Sequence, residues 1–246
     1  MYKGKNINAI IQARMGSTRL PGKVLKELGG KKVLDYVVER LERSELIDKI
    51  IVATSVEEQD DEIVEWGRDR GVTIFRGPEQ NVLKRFHECS KKYPSDVIVR
   101  VTADCPLISY KFVDKSVKLL IDEDQKYVKM DHDKTPRGIY AECFPKKVLE
   151  EVYEKADVDQ YKEHVTYYIY EENDDEFDIA YLKTPEWLQR EYRLTLDTNS
   201  DFKLLKNIFS SLYEENQYLD IKKVIEYLDN NPSIAKINNS VQQKSV

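Results

Sequence analysis

Apolar residues in the first half of the chain come in short, nearly unbroken runs separated by longer stretches of mixed polarity. Asn8 to Gln12 (NAIIQ), Lys49 to Thr54 (KIIVAT), Val72 to Phe75 (VTIF) and Asp96 to Thr102 (DVIVRVT) read as strands. Runs with so little polar alternation predict strands covered on both faces. Between them, Val33, Leu34, Val37, Val38 and Leu41 fall on one face of a helix, and Glu57 to Arg70 and Val82 to Lys92 have helical spacing. Alternation of this kind predicts crossover units, and so an α/β fold with a largely parallel sheet.

The second half is less regular. Lys126 to Met130, Gly138 to Phe144, Phe177 to Leu182 and Tyr192 to Asp197 read as strands; Lys146 to Lys155, Gln160 to Tyr170, Phe202 to Glu214 and Ile221 to Leu228 read as helices. Pro and Gly never cluster into a linker, so residues 1–236 form one domain by this reading. A polar tail, 237–246, follows, and its NNSVQQKSV predicts a frayed end.

Composition narrows the class. With 246 residues the chain can bury roughly 70% of its unfolded surface and needs no disulfide or metal for stability. No apolar run approaches a membrane span, and MYKGKNINAIIQ has too short an apolar stretch for a secretory signal, so a cytoplasmic protein without a membrane partner is expected. Cys89, Cys105 and Cys143 are few, odd in number and widely spaced, which predicts buried reduced thiols. His87 and His132 lack a His or Cys at ligand spacing and read as structural. A net charge of -6 argues against a nucleic-acid partner. Any anion must therefore be met locally.

Gln12 to Lys23, QARMGSTRLPGK, can do so. Arg14, Arg19 and Lys23 carry cations with no acid among them, on a Gly-containing loop leaving the first strand. Backbone N–H groups and cations can converge there on phosphates. The spacing is not that of a P-loop: five residues lie between Gly16 and Gly22, and Val24 follows the lysine where a hydroxyl would be needed. A solvated basic loop is the bland alternative. Two strand ends bear on the choice, Arg100 to Leu107 (RVTADCPL) with Asp104 and Tyr192 to Thr198 (YRLTLDT) with Asp197. Each aspartate alone reads as a turn former. Ligands of open α/β sheets gather at the carboxyl ends of strands, where both aspartates and the loop can meet and hold magnesium beside a polyphosphate.

These residues resemble a known family. IIQARMGSTRLPGK (Ile10 to Lys23), RVTADCPLI (Arg100 to Ile108), EHVT (Glu163 to Thr166) and RLTLDT (Arg193 to Thr198) are similar to motifs of the CTP-dependent sugar-acid cytidylyltransferases, which activate 3-deoxy-manno-octulosonate and acylneuraminate. The nearest branch is that of the spore-coat polysaccharide biosynthesis protein F-like proteins. The resemblance implies a three-layer, Rossmann-like nucleotide-diphospho-sugar transferase fold with an acceptor and dimerisation subregion at about 126–185, and a homodimer. It implies CTP as co-substrate, Mg2+ as cofactor, a sugar or sugar-acid acceptor, and release of pyrophosphate. Carried over, Arg14, Ser17, Arg19 and Lys23 hold the triphosphate, and the backbone of Gln12 and Ala13 approaches the nucleotide. Asp104 and Asp197 bind the metal. RGPEQNVLKRF (Arg76 to Phe86) matches a segment lying over cytosine and ribose, which assigns Gly77, Asn81 and Arg85 there.

Acceptor recognition is expected from the second half. Arg137 in PRGIYAECF suits a carboxylate, and Glu142 suits sugar hydroxyls; Arg137 also reads as an exposed hairpin cation. Glu163 and His164 join the acceptor site on the strength of the resemblance. Tyr161, Tyr167, Tyr168 and Tyr170 read as a packing stripe. Rival functions are cytidylyl transfer to a phosphonate or polyol, a glycosyltransferase on the same fold, and a non-catalytic nucleotide-binding protein. A glycosyltransferase predicts a DxD metal pair where this chain has TADCP.

Overall fold

In the computed structural model, which describes residues 1–131, 133–171, 174–215 and 217–243, the apolar runs become the strands of one sheet. In chain order the elements are β1 (Ile7–Gln12), β2 (Glu27–Leu28), β3 (Lys31–Lys32), α1 (Val33–Leu41), β4 (Lys49–Ser55), α2 (Asp61–Arg70), β5 (Thr73–Gly77), α3 (Val82–Lys92), β6 (Val97–Thr102) and α4 (Tyr110–Asp122). Then come β7 (Tyr127–Met130), β8 (Glu142–Pro145), α5 (Lys146–Lys155), α6 (Asp159–Glu163), α7 (Tyr167–Glu171), α8 (Asp174–Phe177), β9 (Ile179–Leu182), α9 (Asn199–Leu212), α10 (Ile221–Asn230) and α11 (Pro232–Ala235).

The seven-stranded sheet has the order β5-β4-β1-β6-β8-β7-β9. It is mostly parallel; only β8 runs against its neighbours, β6 and β7. Ile7, Ala9 and Ile11 of β1 share a core with Leu34 and Val37 of α1, Trp66 of α2 and Val117 of α4. Ile10, on the opposite face, packs with Phe86 of α3 and Leu149 of α5. Both faces are therefore covered, giving three layers. A further core joins Leu107, Met130, Ile139, Leu194 and Leu196 to α9 and α10 at the carboxyl ends of the central strands. No helix among the described residues is long and apolar enough to cross a membrane.

Four differences from the sequence reading have physical causes. Tyr192 to Asp197 is no sheet strand: it crosses the strand ends, held by one bridge between Arg137 and Arg193 and by bonds from Leu194 N to Arg137 O and Leu196 N to Asp104 O. The helix expected over Gln160 to Tyr170 breaks between α6 and α7, with His164 in extended backbone. Helix α4, which the apolar runs did not single out, buries Phe112, Val113, Ser116, Val117 and Leu120 on one face. The tail does not fray at its start, because Asn238 is buried and hydrogen-bonded. The three cysteines are free and buried, and His87 stacks on Tyr153; His132 lies outside the described residues.

Candidate active site

The loop after β1 is fastened before it turns. Ala13 N bonds Ala53 O on one side, and Ala103 N bonds Gln12 O on the other. Asp60, fully buried, accepts from Met15 N at 2.7 Å, Thr54 Oγ1 at 2.9 Å and Ser55 N at 3.0 Å. Burial alone would raise this carboxyl, but those donors outweigh it and hold it below the ordinary carboxylate value. Farther along, Ser17 Oγ accepts from Leu20 N, and Gly22 takes the left-handed conformation that directs Lys23 inward.

Lys23 Nζ ends between two carboxylates, 2.6 Å from Asp104 Oδ2 and 2.7 Å from Asp197 Oδ1. Burial pulls this ammonium down, yet Asp104 and Asp197 together raise it above the ordinary lysine value. For Asp104 the balance runs the other way: burial raises it, and Lys23, Thr102 and Cys105 bring it below the ordinary value. Asp197 Oδ2 meets Arg193 Nη2, and Arg19 Nη2 lies 3.3 Å away. Behind them Arg193 Nε bonds Asp201 Oδ1 at 3.1 Å. Lys23, Asp104, Asp197 and Arg19 are thus brought together as expected, from segments far apart in sequence.

This donor set fits a hard divalent cation. One ammonium touches both carboxylates, so a cation in the same place would reach oxygen from each, as such ions require, with water or phosphate completing the set.

A second cationic group stands behind the loop. Arg85 is fully buried, donates from Nη1 to Pro78 O at 2.9 Å, and has no partner for Nε or Nη2. Burial drags its guanidinium down to about 10, with Arg14 pushing the same way and Asp60 opposing. Nε and Nη2 are thus donors left over in a buried place, where an acceptor oxygen would be favoured. Gly77 makes room for it, since a Cβ there would stand 2.9 Å from Arg85 Cγ. Asn81 caps α3, its Oδ1 accepting from Lys84 N at 2.8 Å.

The second-half residues divide. Glu142 faces Arg100 across the β6–β8 pair, its Oε2 2.6 Å from Nη1 and 2.9 Å from Thr166 Oγ1; Arg100 Nη2 reaches Gln12 Oε1 at 3.4 Å. Burial raises the Glu142 carboxyl, but Arg100 and Thr166 bring it below its ordinary value. Glu163 is exposed, and the His164 ring sits 6.2 Å from that of Tyr167. Tyrosines 161, 167, 168 and 170 contact one another edge-on or tilted, as a packing stripe should. Arg137, bridged to Arg193, lines a cavity of about 900 Å3 with Arg193, Asn238 and Gln243. Sequence reasoning missed Asp60, Arg100, Thr166, Arg193 and Asp201. For Arg100 a signal exists: a charge inside the apolar run VIVRV must find a partner.

A family model described as cytidylyltransferase matches residues 8–227. The chain belongs to that family. The cytidylyltransferase is 34% identical over 232 residues to the spore coat polysaccharide biosynthesis protein SpsF of Bacillus subtilis, covering 92% of this chain and 95% of that one. It is 44% identical over 240 residues to the uncharacterised protein MJ1063 of Methanocaldococcus jannaschii, covering 97% of each. Among solved structures, a cytidylyltransferase from Leptospira borgpetersenii superposes with a TM-score of 0.86 at 32% identity over 98% of both chains. The nucleotidyltransferase fold and the cytidylyltransferase's enzyme class follow from these matches.

Proposed function

We propose that the enzyme transfers CMP from CTP to a hydroxyl of a sugar acid of the nonulosonic, sialic-acid-like type, releasing pyrophosphate for surface, spore-coat or flagellar polysaccharide synthesis. The meeting of Lys23, Asp104 and Asp197 beneath the basic loop carries the reading. Similarity to a spore coat polysaccharide protein supports the sugar destination.

In this reading the acceptor oxygen attacks the α-phosphorus, the bond from that phosphorus to the bridging oxygen breaks, and pyrophosphate departs; the hydroxyl proton passes to solvent. Arg14, Ser17, Arg19 and Lys23 bind the triphosphate, and Lys23 neutralises charge gathering on the leaving group. Gln12 and Ala13 border the nucleotide, with Gly77, Asn81 and Arg85 beside its base and ribose. Glu142, held by Arg100, is assigned to the acceptor's hydroxyls together with Glu163 and His164; Arg137 is kept for an acceptor carboxylate. Asp104 and Asp197 would hold Mg2+, which when bound supplies charge stabilisation to the phosphates.

The test is pyrophosphate release from each of the four nucleoside triphosphates with magnesium, against sugar acids, neutral sugars, polyols and phosphonates. CTP with sugar acids alone is expected to respond. Asp104→Asn should cost about 3 kcal/mol of transition-state stabilisation, more than a hundredfold in turnover. Turnover within tenfold of the parent would sink the role of Asp104, and release of a nucleoside diphosphate from an added nucleotide sugar, with no pyrophosphate from any triphosphate, would replace the reaction with glycosyl transfer.

A further inference from the structure

Asp197 presents its two oxygens in different directions, Oδ1 to Lys23 and Oδ2 to Arg193. Something must fix that split. Arg193 is oriented by Asp201, which is fully buried and whose Oδ2 also accepts from Asp197 N at 3.1 Å, Thr198 N at 2.9 Å and Thr198 Oγ1 at 2.9 Å. The last tie comes from the polar tail. Asn238, 2% exposed, donates from Nδ2 to Asp201 Oδ1 at 2.7 Å and to the Arg193 carbonyl at 3.0 Å. One amide thus grips the side chain of one member of the pair and the backbone of the other. Gln243 Oε1 accepts from Arg193 Nη1 at 2.6 Å.

On the tail side, where Arg193, Asn238 and Gln243 line the cavity of about 900 Å3, the polar partners of Arg193 are Gln243 on its guanidinium and Asn238 on its carbonyl. A carboxylate whose orientation depends on a hydrogen-bonded arginine loses metal affinity when the outer partner is removed, by tenfold or more in comparable sites.

We infer that Asn238, acting through Asp201 and Arg193, is a positioning residue for Asp197, so that the segment following α11 is part of the catalytic apparatus. The inference rests on the metal role proposed for Asp197. Asn238 touches neither nucleotide nor acceptor in that reading; it sets the direction from which Asp197 Oδ1 is offered.

Mn2+ binding measured by electron paramagnetic resonance in the presence of saturating CTP tests this without turnover. Asn238→Ala should weaken Mn2+ binding roughly tenfold, while CTP affinity measured in a chelator stays within about twofold, a change worth less than RT in free energy. A purely structural role would lower the melting midpoint and leave the metal affinity of the folded fraction unchanged, which would overturn the inference. Should Asn238→Ala not fold, Asn238→Ser, whose hydroxyl cannot donate to both groups at once, decides: a reproducible weakening of Mn2+ binding supports the inference and an unchanged affinity overturns it. If the parent protein itself binds no Mn2+ with CTP present, the metal role of Asp197 falls, and the inference with it. If the parent binds Mn2+ and the variant binds it equally well, only the inference falls.

Discussion

Glu142 keeps its charge in a nearly closed place, on a strand between two others, because Arg100 stands opposite it and Thr166 donates to it. Removing one partner of such a pair strands the other: Glu142→Gln should destabilise the fold by roughly 3 kcal/mol at neutral pH. The sign of the pH dependence follows from the direction of the shift. The folded carboxyl lies below its ordinary value of 4.5, so the stabilisation is complete above that value and disappears as pH falls through the lowered one. Melting midpoints of parent and Glu142→Gln should therefore differ by a constant amount down to about pH 5 and converge in more acid solution. A gap that stays constant into that range would refute the pairing as its source. Lys23, Asp104 and Asp197 were legible in the sequence because each ends a recognisable run in a residue type suited to phosphate or metal. Asp60 and Asp201 were not, because their meaning lies in donors that the fold gathers around them, and the charge of Arg100 within its apolar run did not name Glu142, which only the adjacency of β6 and β8 supplies.

At the scale of elements, the segment Tyr192 to Asp197 delivers Asp197 to the site, and its course depends on Gly138. That residue has φ of +93°, and a Cβ there would stand 2.7 Å from the carbonyl carbon and oxygen of Leu194. Those atoms are backbone and cannot swing aside as a side chain could. Gly138→Ala should cost roughly 1–3 kcal/mol from the dihedral alone, with the clash added to it, read from urea unfolding. Turnover should fall as well, because Leu196 N bonds Asp104 O and any displacement of the segment separates the two aspartates. Stability equal to the parent's would show that the segment can shift without consequence. Alternating apolar residues gave Tyr192 to Asp197 the look of a strand, and local pattern cannot tell a sheet member from an extended segment laid across strand ends. The break between α6 and α7 was hidden for a similar reason: helical spacing continues through it, but Thr166 is drawn to Glu142.

For the whole molecule, strand–helix alternation carried the parallel core β5-β4-β1-β6, since a right-handed crossover leaves few other arrangements. It said nothing of β8, which enters antiparallel between β6 and β7, nor of the tail's return to Arg193. Both are long-range choices made by burial and by polar groups in need of partners. The same distances govern how the enzyme comes into being. Lys23 is separated by 81 residues from Asp104 and by 174 from Asp197. Bringing such groups together costs chain entropy that local contacts do not repay. On dilution from denaturant, helical circular dichroism should recover first, and pyrophosphate-releasing activity should lag behind it. Activity returning in step with the earliest dichroism would mean that the two aspartates find Lys23 before the sheet is built. A lag would mean that half-folded chains are chemically silent, so that nucleotide is never spent by a molecule still finding its shape.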